Sequence, residues 1–451
     1  MQENNTTKIN PRLLSGFKDF LPKQKNQRDW LINQIKTVYE SFGFQPLETP
    51  VLEYADILTG KYGEEANMMM YRFTDQGKRD VAMRYDLTIP FARIIAQYPE
   101  LPKPFKRYQI APVWRSDSPQ AGRYREFYQF DADIAGSASM LADSEIIEII
   151  YRSMIKIGVK NFNIRLNNRK ILNGLLAYAD INQTKANQVF QMIDKIEKIS
   201  KENFRKILTE IVGTDSYKKI LDFIQIKGSN TEIIAQLKHL FLANEIGLAG
   251  IKEIEEILAN LELNKIELNK IKIDLSIARG LDYYTGTVFE TVLLDAPEFG
   301  SIFSGGRYNE LIGLFTNTDI PAIGTSVGID RLFTAMEKLD LLPNNNNSAS
   351  ALVTVFPENP QDSLKVAQKL RESGLKIETY LGDKTNLKNQ LSYADKLSIP
   401  VVIITFPDQI EKDNYIVKKM GQNFGETEQI ETNFAKLAET IKKITTKKDE
   451  S

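Results

Sequence analysis

The sequence contains no cysteine and a single histidine among its 451 residues. The absence of cysteine excludes disulfides, thiolate metal sites and cysteine nucleophiles. A single histidine, His239, nearly excludes a catalytic triad. We expect His239 on the surface of a polar helix with the sequence QLKHLF. Any reaction must therefore depend on arginine, carboxylate, amide and tyrosine side chains and on bound cations.

The sequence also lacks an excess of charge of either sign and any apolar run long enough to span a membrane. It has 58 Lys and Arg against 59 Asp and Glu, so a nucleic-acid site would have to be a local patch. The first residues, MQENNTTKIN, have neither the apolar core of a signal peptide nor the arginines of a transit peptide. We therefore expect a cytoplasmic protein.

The length, with 42% hydrophobic and 26% charged residues, is typical of a globular protein of two to four domains. An amphipathic helix is predicted at 24–41, a short strand at 81–85 and a helix from Thr88 to about Gln97. A hairpin follows at 105–115 and 123–136, then a mainly helical stretch to Leu268. Strands are predicted again at 271–294 and 301–304. After an Asn-rich linker, alternating strands and helices predict a small α/β domain with a largely parallel sheet.

The most informative segment is 278–290, ARGLDYYTGTVFE. Upstream, apolar residues at every second position from Ile271 predict a strand with one buried face. The Arg279 guanidinium can hold a carboxylate or a phosphate through a bidentate fork, and Gly280 and Gly286 permit a turn or the close approach of a ligand. A ligand site and a plain surface hairpin both fit this pattern.

The second strand of the predicted hairpin places a polar row on one face by its period of two. Its members are Arg123, Arg125, Phe127, Gln129, Asp131 and Asp133. Arg115 lies nearby across the loop. Cations at the loop end, with amide and acid groups deeper along the strand, suit a zwitterion joined to a phosphate. A solvated strand face is the alternative.

The third segment is 324–337, GTSVGIDRLFTAME, where a helix is predicted to begin near Ile329. Arg331 would lie in its first turn, where the helix dipole disfavours a cation. An anion bound at the helix N-terminus would account for that position. An arginine that simply points outward would also satisfy the pattern.

These segments together resemble the histidyl-tRNA synthetase family. FGFQPLETPVLE around Pro50 resembles the dimer-interface motif of class II aminoacyl-tRNA synthetases, GRYREFYQFDADIAG with Arg115 resembles motif 2, and GTSVGIDRL resembles motif 3. RYDLT (84–88) and ARGLDYYTG resemble the histidine-binding elements of the family. The resemblance implies an α+β fold: an antiparallel-sheet class II catalytic domain with a helical insertion, and a C-terminal α/β anticodon-binding domain.

The resemblance also implies roles for single residues. The histidine α-ammonium would be held by Asp86, Thr88 and Gln129. Asp133 and Tyr284 would flank the imidazole, beside Tyr283. Arg115 and Arg123 would bind ATP phosphates, Arg331 would hold the far phosphates of a bent ATP and stack on adenine, and Arg279 would bridge carboxylate and α-phosphate. Mg²⁺ would be bound to the triphosphate.

The implied domains are a first catalytic part at 1–160, a helical insertion at 161–268 and a second catalytic part at 269–342. A linker at 343–350 and an anticodon-binding domain at 351–451 would follow. The implied activity is ligation of L-histidine to tRNA(His) through an adenylate formed from ATP, by a homodimer. In the motif Gly-Gly-Arg-Tyr-Asn, Asn309 stands where many relatives have aspartate.

The sequence leaves two other functions open. One is a non-catalytic paralogue, such as the regulatory subunit of ATP phosphoribosyltransferase, which typically lacks the ARGLDYYTG pattern and the C-terminal domain. The other is a synthetase for proline, threonine or glycine, which would need a different amino-acid pocket.

Overall fold

The computed structural model describes residues 9–59, 68–118, 122–196, 199–278, 283–316, 318–343, 347–358, 360–421 and 429–446. The chain divides into two compact units. The first joins the residues before Asp19 to Leu31–Leu342, and the second joins Asp19–Trp30 to the residues from Pro343 onward.

The first unit is built on an eight-stranded sheet and a small three-stranded sheet. In chain order its strands are β1 (Gln45–Pro46), β2 (Leu52–Tyr54), β3 (Arg72–Thr74), β4 (Asp80–Met83), β5 (Phe105–Trp114), β6 (Glu126–Ala135), β7 (Phe162–Asn168), β8 (Ile271–Ile273), β9 (Thr287–Leu293), β10 (Ser301–Arg307) and β11 (Ala322–Gly328). The large sheet has the order β1-β5-β6-β11-β10-β9-β7-β8, and the small one β2-β4-β3. Pairing in the large sheet is parallel at its two edges, β1–β5 and β7–β8, and antiparallel between them.

Strands β5 and β6 form the predicted hairpin, with Phe105 opposite Ala135 and Trp114 opposite Glu126. Residues 129–135 of β6 are buried on both faces of the sheet. On one face the Tyr39 ring packs edge-on against Phe130 with centroids 4.7 Å apart. The alternative of a solvated strand face is therefore wrong for the inner half of this strand.

The described helices that begin before Leu342 alternate with these strands along the chain. They are α1 (Pro22–Ser41), α2 (Ala55–Leu58), α3 (Thr88–Gln97), α4 (Met140–Lys156), α5 (Arg169–Tyr178), α6 (Ala186–Asp194), α7 (Lys201–Val212), α8 (Thr214–Ile224), α9 (Asn230–Leu240), α10 (Glu245–Leu263) and α11 (Ile329–Lys338). The predicted helices from Thr88 and near Ile329 are both present. His239 is exposed on α9, as expected.

Two strand predictions need correction. The mainly helical stretch contains β7, which pairs with both β8 and β9 in the large sheet. The alternation that begins at Ile271 predicted a longer strand than β8, which ends at Ile273. The backbone N–H and hydroxyl of Ser276 both donate to Asp274 Oδ1, at 2.9 and 2.6 Å. This local turn competes with the ladder and ends the strand.

The second unit holds a five-stranded sheet with the order β13-β12-β14-β15-β16. Its elements are β12 (Ala351–Val353), α12 (Pro360–Glu372), β13 (Ile377–Thr379), α13 (Leu387–Lys396), β14 (Val401–Ile404), α14 (Pro407–Ile410), β15 (Tyr415–Lys419), β16 (Gln429–Thr432) and α15 (Phe434–Thr446). The predicted parallel α/β core corresponds to β12, β13 and β14. Two antiparallel strands extend it, and separate apolar clusters cover its two faces.

Candidate active site

A cavity of about 780 Å³ in the first unit is lined by residues of β6, β9, β10 and β11 and of the loops beside them. Most of the predicted site residues lie on its wall: Asp86, Thr88, Arg115, Arg123, Gln129, Asp133, Tyr283, Tyr284 and Arg331. Arg279, the remaining one, lies outside the described residues. Side chains separated by up to about 245 positions in sequence thus share one wall, because the β5–β6 hairpin and β11 are neighbours in the sheet.

Arg115 is positioned at the end of the hairpin by one hydrogen bond and two aromatic rings. Its Nε donates to the Tyr85 carbonyl at 3.1 Å. The guanidinium lies 4.3 Å from the Tyr85 ring centroid and 5.1 Å from that of Phe127. Stacking of this kind orders a guanidinium without pairing its charge with an acidic group. Arg115 is therefore held ready for an anion in the cavity.

Arg331 and Arg123 complete a cationic end of the cavity. Arg331, in the first turn of α11, donates from Nη1 to the Ser301 carbonyl at 2.8 Å. Burial lowers the pKa of Arg331, and the positive charges of Arg123 and Arg115 lower it further. Arg123 is half exposed and pairs with Asp117 at 2.7 Å. Because the other two guanidiniums repel that of Arg331, an anion bound among the three would stabilise them.

Asp86 anchors the start of helix α3 and also lines the cavity. Its Oδ1 accepts hydrogen bonds from the backbone N–H groups of Thr88 and Ile89, both at 3.1 Å. A carboxylate that binds the first N–H groups of a helix satisfies groups that have no partner within the helix. This capping fixes Asp86, which is 2% exposed, and the neighbouring Thr88 on the cavity wall.

Gln129 and Asp133 point from β6 into the cavity, in agreement with the period-two pattern. Gln129 Nε2 donates to Ser326 Oγ on β11 at 2.8 Å. Asp133 accepts a hydrogen bond from the Tyr308 hydroxyl at 2.5 Å, and its other oxygen lies 2.6 Å from an Arg107 nitrogen. The carboxylate is therefore held by two protein groups.

The charge of Asp133 is governed by opposing effects. Burial raises the pKa of this carboxyl, and the nearby Asp86 raises it further. The Arg107 cation and the Tyr308 hydrogen bond act against that increase because both stabilise the ionised form. Burial outweighs both, so the pKa of Asp133 is raised overall, and Arg107 is the buried cation that limits the increase.

The two tyrosines of the segment 278–290 lie beside Asp133. The rings of Tyr283 and Tyr284 meet edge to face with centroids 5.0 Å apart. Burial raises the pKa of the Tyr284 hydroxyl far above its ordinary range, and the carboxylates of Asp133 and Asp131 raise it further. Tyr284 is consequently a neutral hydrogen-bonding group and not a base.

Two glycines of β10 leave no room for side chains next to the cavity, which Gly305 lines. A Cβ atom at Gly306 would lie 2.6 Å from the Thr287 carbonyl and 2.9 Å from the Tyr284 ring. A Cβ atom at Gly305 would lie 2.1 Å from the Gly324 carbonyl. These positions exclude side chains because the sheet backbone itself occupies the space.

Sequence patterns missed two residues of this arrangement, Arg107 and Tyr308. Arg107 lies directly opposite Asp133 in the β5–β6 ladder, and Gln109 lies opposite Asp131. Cross-strand partners share a face of the sheet, so knowledge of the hairpin register would have revealed the pair of Arg107 and Asp133.

Asn309, the residue at which many relatives have aspartate, donates its backbone N–H to Thr285 Oγ1 at 3.1 Å.

The chain matches two family models, one described as histidyl-tRNA synthetase over residues 16–332 and one as anticodon binding domain over residues 343–444. The chain belongs to the histidyl-tRNA synthetase family. It is 41% identical to histidine–tRNA ligases of Clostridium tetani and of Rhodopirellula baltica. The first match covers 91% of this chain and 94% of the relative, and the second covers 92% and 94%.

The solved structures agree with that family. The histidyl-tRNA synthetase of Nostoc sp. PCC 7120 superposes with a TM-score of 0.86 at 34% identity, covering 97% of this chain and 100% of that one. A Bacillus halodurans protein described as an ATP phosphoribosyltransferase regulatory subunit/histidyl-tRNA synthetase gives 0.72 at 22% identity, covering 85% and 97%. That second likeness concerns the fold alone. The first unit has the predicted class II α+β fold, and the second the predicted anticodon-binding domain.

Proposed function

We propose that this chain ligates L-histidine to tRNA(His) in two steps, with histidyl-adenylate as the intermediate. The observation that carries the proposal is that one cavity is lined by two groups of side chains. The carboxylates of Asp86 and Asp133 and two tyrosines act on one another electrostatically, and together with the Gln129 amide we call them the polar end. The three guanidiniums, which we call the cationic end, do so among themselves. An amino-acid zwitterion with a ring needs hydrogen-bonding and acidic groups, and a triphosphate needs cations, and the two sets must adjoin for the ligands to react.

At the polar end, Asp86, Thr88 and Gln129 would hold the α-ammonium. The acceptor oxygens of these groups match an –NH₃⁺ group, which has three donors and no acceptor. Asp133 would accept a ring N–H of the imidazole, while the neutral Tyr284 hydroxyl and the neighbouring Tyr283 would orient the ring. Such a pocket rejects side chains that leave the buried acid without a donor.

At the cationic end, Arg115, Arg123 and Arg331 would bind the phosphates of ATP, with Arg331 also against the adenine. Arg279 would bridge the histidine carboxylate and the α-phosphate. A carboxylate oxygen then attacks the α-phosphorus, and the bond to the pyrophosphate oxygen breaks. This step needs alignment and neutralisation of charge more than proton transfer, which a chain with one histidine and no cysteine can supply.

Mg²⁺ would neutralise the triphosphate when bound with it. Among the described residues, no three histidine or acidic side chains are grouped as a metal site. Glu290 on β9 lines the cavity, and its negative charge raises the pKa of Arg331 against the effect of burial. This carboxylate is suited to assist a cation held mainly by phosphate oxygens.

In the second step a ribose hydroxyl at the 3′ end of tRNA(His) would attack the carbonyl carbon of the adenylate, and AMP would leave. The second unit, whose basic and acidic residues balance from Ala351 onward, would bind the anticodon by stacking and base-edge hydrogen bonds. These contacts do not require an overall positive charge.

We also propose a homodimer located in the cytoplasm. Large apolar side chains are exposed at Val51 and on the small sheet, at Leu52, Tyr54 and Phe73, by 39% to 54%. An apolar patch of this kind beside the Pro50 motif suits contact with a second copy. Within the described part of the chain, no helix has both the length and the apolar character needed to cross a membrane.

Amino-acid-dependent ATP–pyrophosphate exchange tests the proposal. We expect exchange with histidine and none with proline, threonine or glycine, followed by charging of tRNA(His). Exchange with one of the other three amino acids would identify a different synthetase. The absence of exchange with every amino acid would instead support a non-catalytic, regulatory role.

A further inference from the structure

Arg107 is a fully buried arginine on β5, with 0% of its side chain exposed. Its Nη2 lies 2.6 Å from Asp133 Oδ2 and donates to the Leu87 carbonyl at 3.1 Å. The Phe91 ring faces the guanidinium, with its centroid 4.6 Å from Cζ. One side chain thus ties an acid on β6 to the turn between Tyr85 and helix α3.

That turn matters because Leu87 stands between Asp86 and Thr88, which both line the cavity. The proposed contacts of the histidine ring lie on β6, and two of the proposed contacts of the α-ammonium lie in the turn. The two groups of contacts belong to different elements, and the Arg107 guanidinium connects them. Both contacts are made by Nη2, at the far end of the side chain, and the flat guanidinium also stacks on the Phe91 ring, which a compact lysine ammonium does less well.

We propose that Arg107 is a positioning residue of the histidine site, which holds the Asp133 carboxylate as a charged acceptor in register with the Asp86–Thr88 turn. The proposal rests on the function proposed above. Arg107 does not line the cavity, so it acts through Asp133 and the turn and not by contact with the substrate.

The hydrogen bonding of Asp133 supports this role. Oδ1 accepts from the Tyr308 hydroxyl and Oδ2 faces Arg107. An ionised carboxylate has about four acceptor positions, so acceptor capacity remains for a ring N–H. A protonated Asp133 would itself be a donor and would compete with the N–H of the substrate. The charge state of Asp133 therefore decides whether the pocket selects a donor.

Several titratable groups face Asp133 from the elements around it: Arg107 on β5, Asp131 on β6, Asp86 in the turn, Tyr308 after β10, Tyr284 in its loop and Tyr39 on α1. Arg107 is the cation among them. When it is removed, burial and the neighbouring acids raise the pKa of Asp133 further. Ionisation of Asp133 then requires a higher pH.

The test uses the full-length variants R107M and R107K in histidine-dependent ATP–pyrophosphate exchange between pH 7 and 9, where free histidine has a neutral ring. For R107M we expect the histidine KM to rise about 10- to 100-fold at pH 7, the range for hydrogen bonds to charged groups. The increase should become smaller at pH 9, and the ATP KM should change less than threefold. R165M is the matched control, because Arg165 pairs with Asp274 on the same sheet, away from the cavity.

A double-mutant cycle with D133N separates positioning from general damage. R107M should raise the histidine KM of D133N by a clearly smaller factor than that of the wild type, because the part of the Arg107 effect that acts through the charge of Asp133 is already lost there and only the contact with the turn remains. An equal fold-increase in both backgrounds would overturn the proposal. So would a wild-type histidine KM in R107M.

Loss of a buried cation can also unfold the chain, so thermal melting is measured first. If R107M does not fold, the histidine KM of R107K tests the proposal. A lysine keeps the charge, but its side chain is shorter and its nitrogen cannot reach the position that Nη2 of Arg107 occupies between Asp133 and Leu87. We therefore expect a several-fold higher histidine KM with the wild-type pH profile, and an unchanged KM would overturn the proposal. Wild-type protein runs in parallel; if it shows no exchange with histidine, the proposed function fails instead.

Discussion

Gly324 on β11 provides the space that the Asp133 carboxylate occupies on the neighbouring strand β6. The two residues are direct partners in the antiparallel ladder. A Cβ atom at position 324 would lie 1.8 Å from Asp133 Oδ1 and 3.1 Å from the Ala132 carbonyl. No rotamer change at position 324 could relieve this overlap, because Cβ is fixed by the backbone. A buried acid at position 133 therefore requires glycine opposite it.

The first prediction concerns G324A. We expect the variant to lose about 1–3 kcal/mol of unfolding free energy, as in other overpacked interiors, and to bind histidine at least tenfold more weakly. Thermal melting and the histidine KM in exchange measure the two effects. G77A is the control, since its Cβ would meet only the flexible side chains of Arg79 and Asp75, at 3.3 Å. Wild-type melting and a wild-type KM in G324A would contradict the steric argument.

The second prediction concerns the pH dependence of stability. Burial raises the pKa of Asp131 to about 7, with Arg107 opposing and Asp133 adding to the increase. Because the folded state holds this proton more tightly than the unfolded state, Asp131 costs stability increasingly as pH rises from about 4 to 7. D131N removes that cost. We therefore expect the melting temperature of D131N, relative to wild type, to be more favourable at pH 8 than at pH 5.

D274N is the control of opposite sign. Burial raises the pKa of Asp274, but hydrogen bonds from Arg165 and Ser276 outweigh it and lower the pKa overall. Its stabilisation is present above the unfolded pKa and is lost only as pH falls through the folded value. D274N should therefore lower the melting temperature by similar amounts at pH 5 and pH 8. The same pattern in D131N would show that Asp131 is not held with a raised pKa.

The third prediction concerns Arg331. Replacing it with methionine should raise the ATP KM about 10- to 100-fold, because a charge-assisted contact to phosphate is lost. The histidine KM, measured on the same variant, should change much less, since Arg331 lies at the cationic end of the cavity. Equal increases in both KM values would argue that Arg331 supports the fold of the cavity rather than ATP.

The fourth prediction concerns Arg279, whose proposed role comes from the sequence. R279A should slow adenylate formation by two orders of magnitude or more, while histidine still binds, because interactions with the α-phosphate strengthen in the transition state. Single-turnover formation of adenylate measures the rate, and equilibrium dialysis measures histidine binding. A near-normal single-turnover rate would remove Arg279 from the proposed mechanism.

Sequence patterns were most informative where local spacing controls structure. The period of two along β6 placed Gln129 and Asp133 on one face, and both line the cavity. The helix start at Thr88 was predicted, and the capping hydrogen bonds from Asp86 explain why it lies there. The patterns failed at β7 and β8. Pairing with β8 makes β7 a strand within a stretch that was predicted to be mainly helical. The turn at Asp274 ends β8 although the alternating pattern continues beyond it.

The Arg107–Asp133 pair shows the limit of such patterns. Each residue taken alone is a charged residue in a strand, and local spacing does not tell which residue is its partner. The hairpin register places them opposite each other, and burial then makes the pair significant, since an isolated charge inside a protein is costly.

By itself the sequence determined which chemistry was possible, the family of the chain and the face on which the polar groups of each strand lie, because these depend on residue type and local spacing. Only the tertiary structure decided that those groups face one cavity, that Arg107 neutralises Asp133 and that Gly324 leaves room for it. These relationships join residues far apart in sequence, and strand order, register and burial, which local spacing does not specify, bring them together.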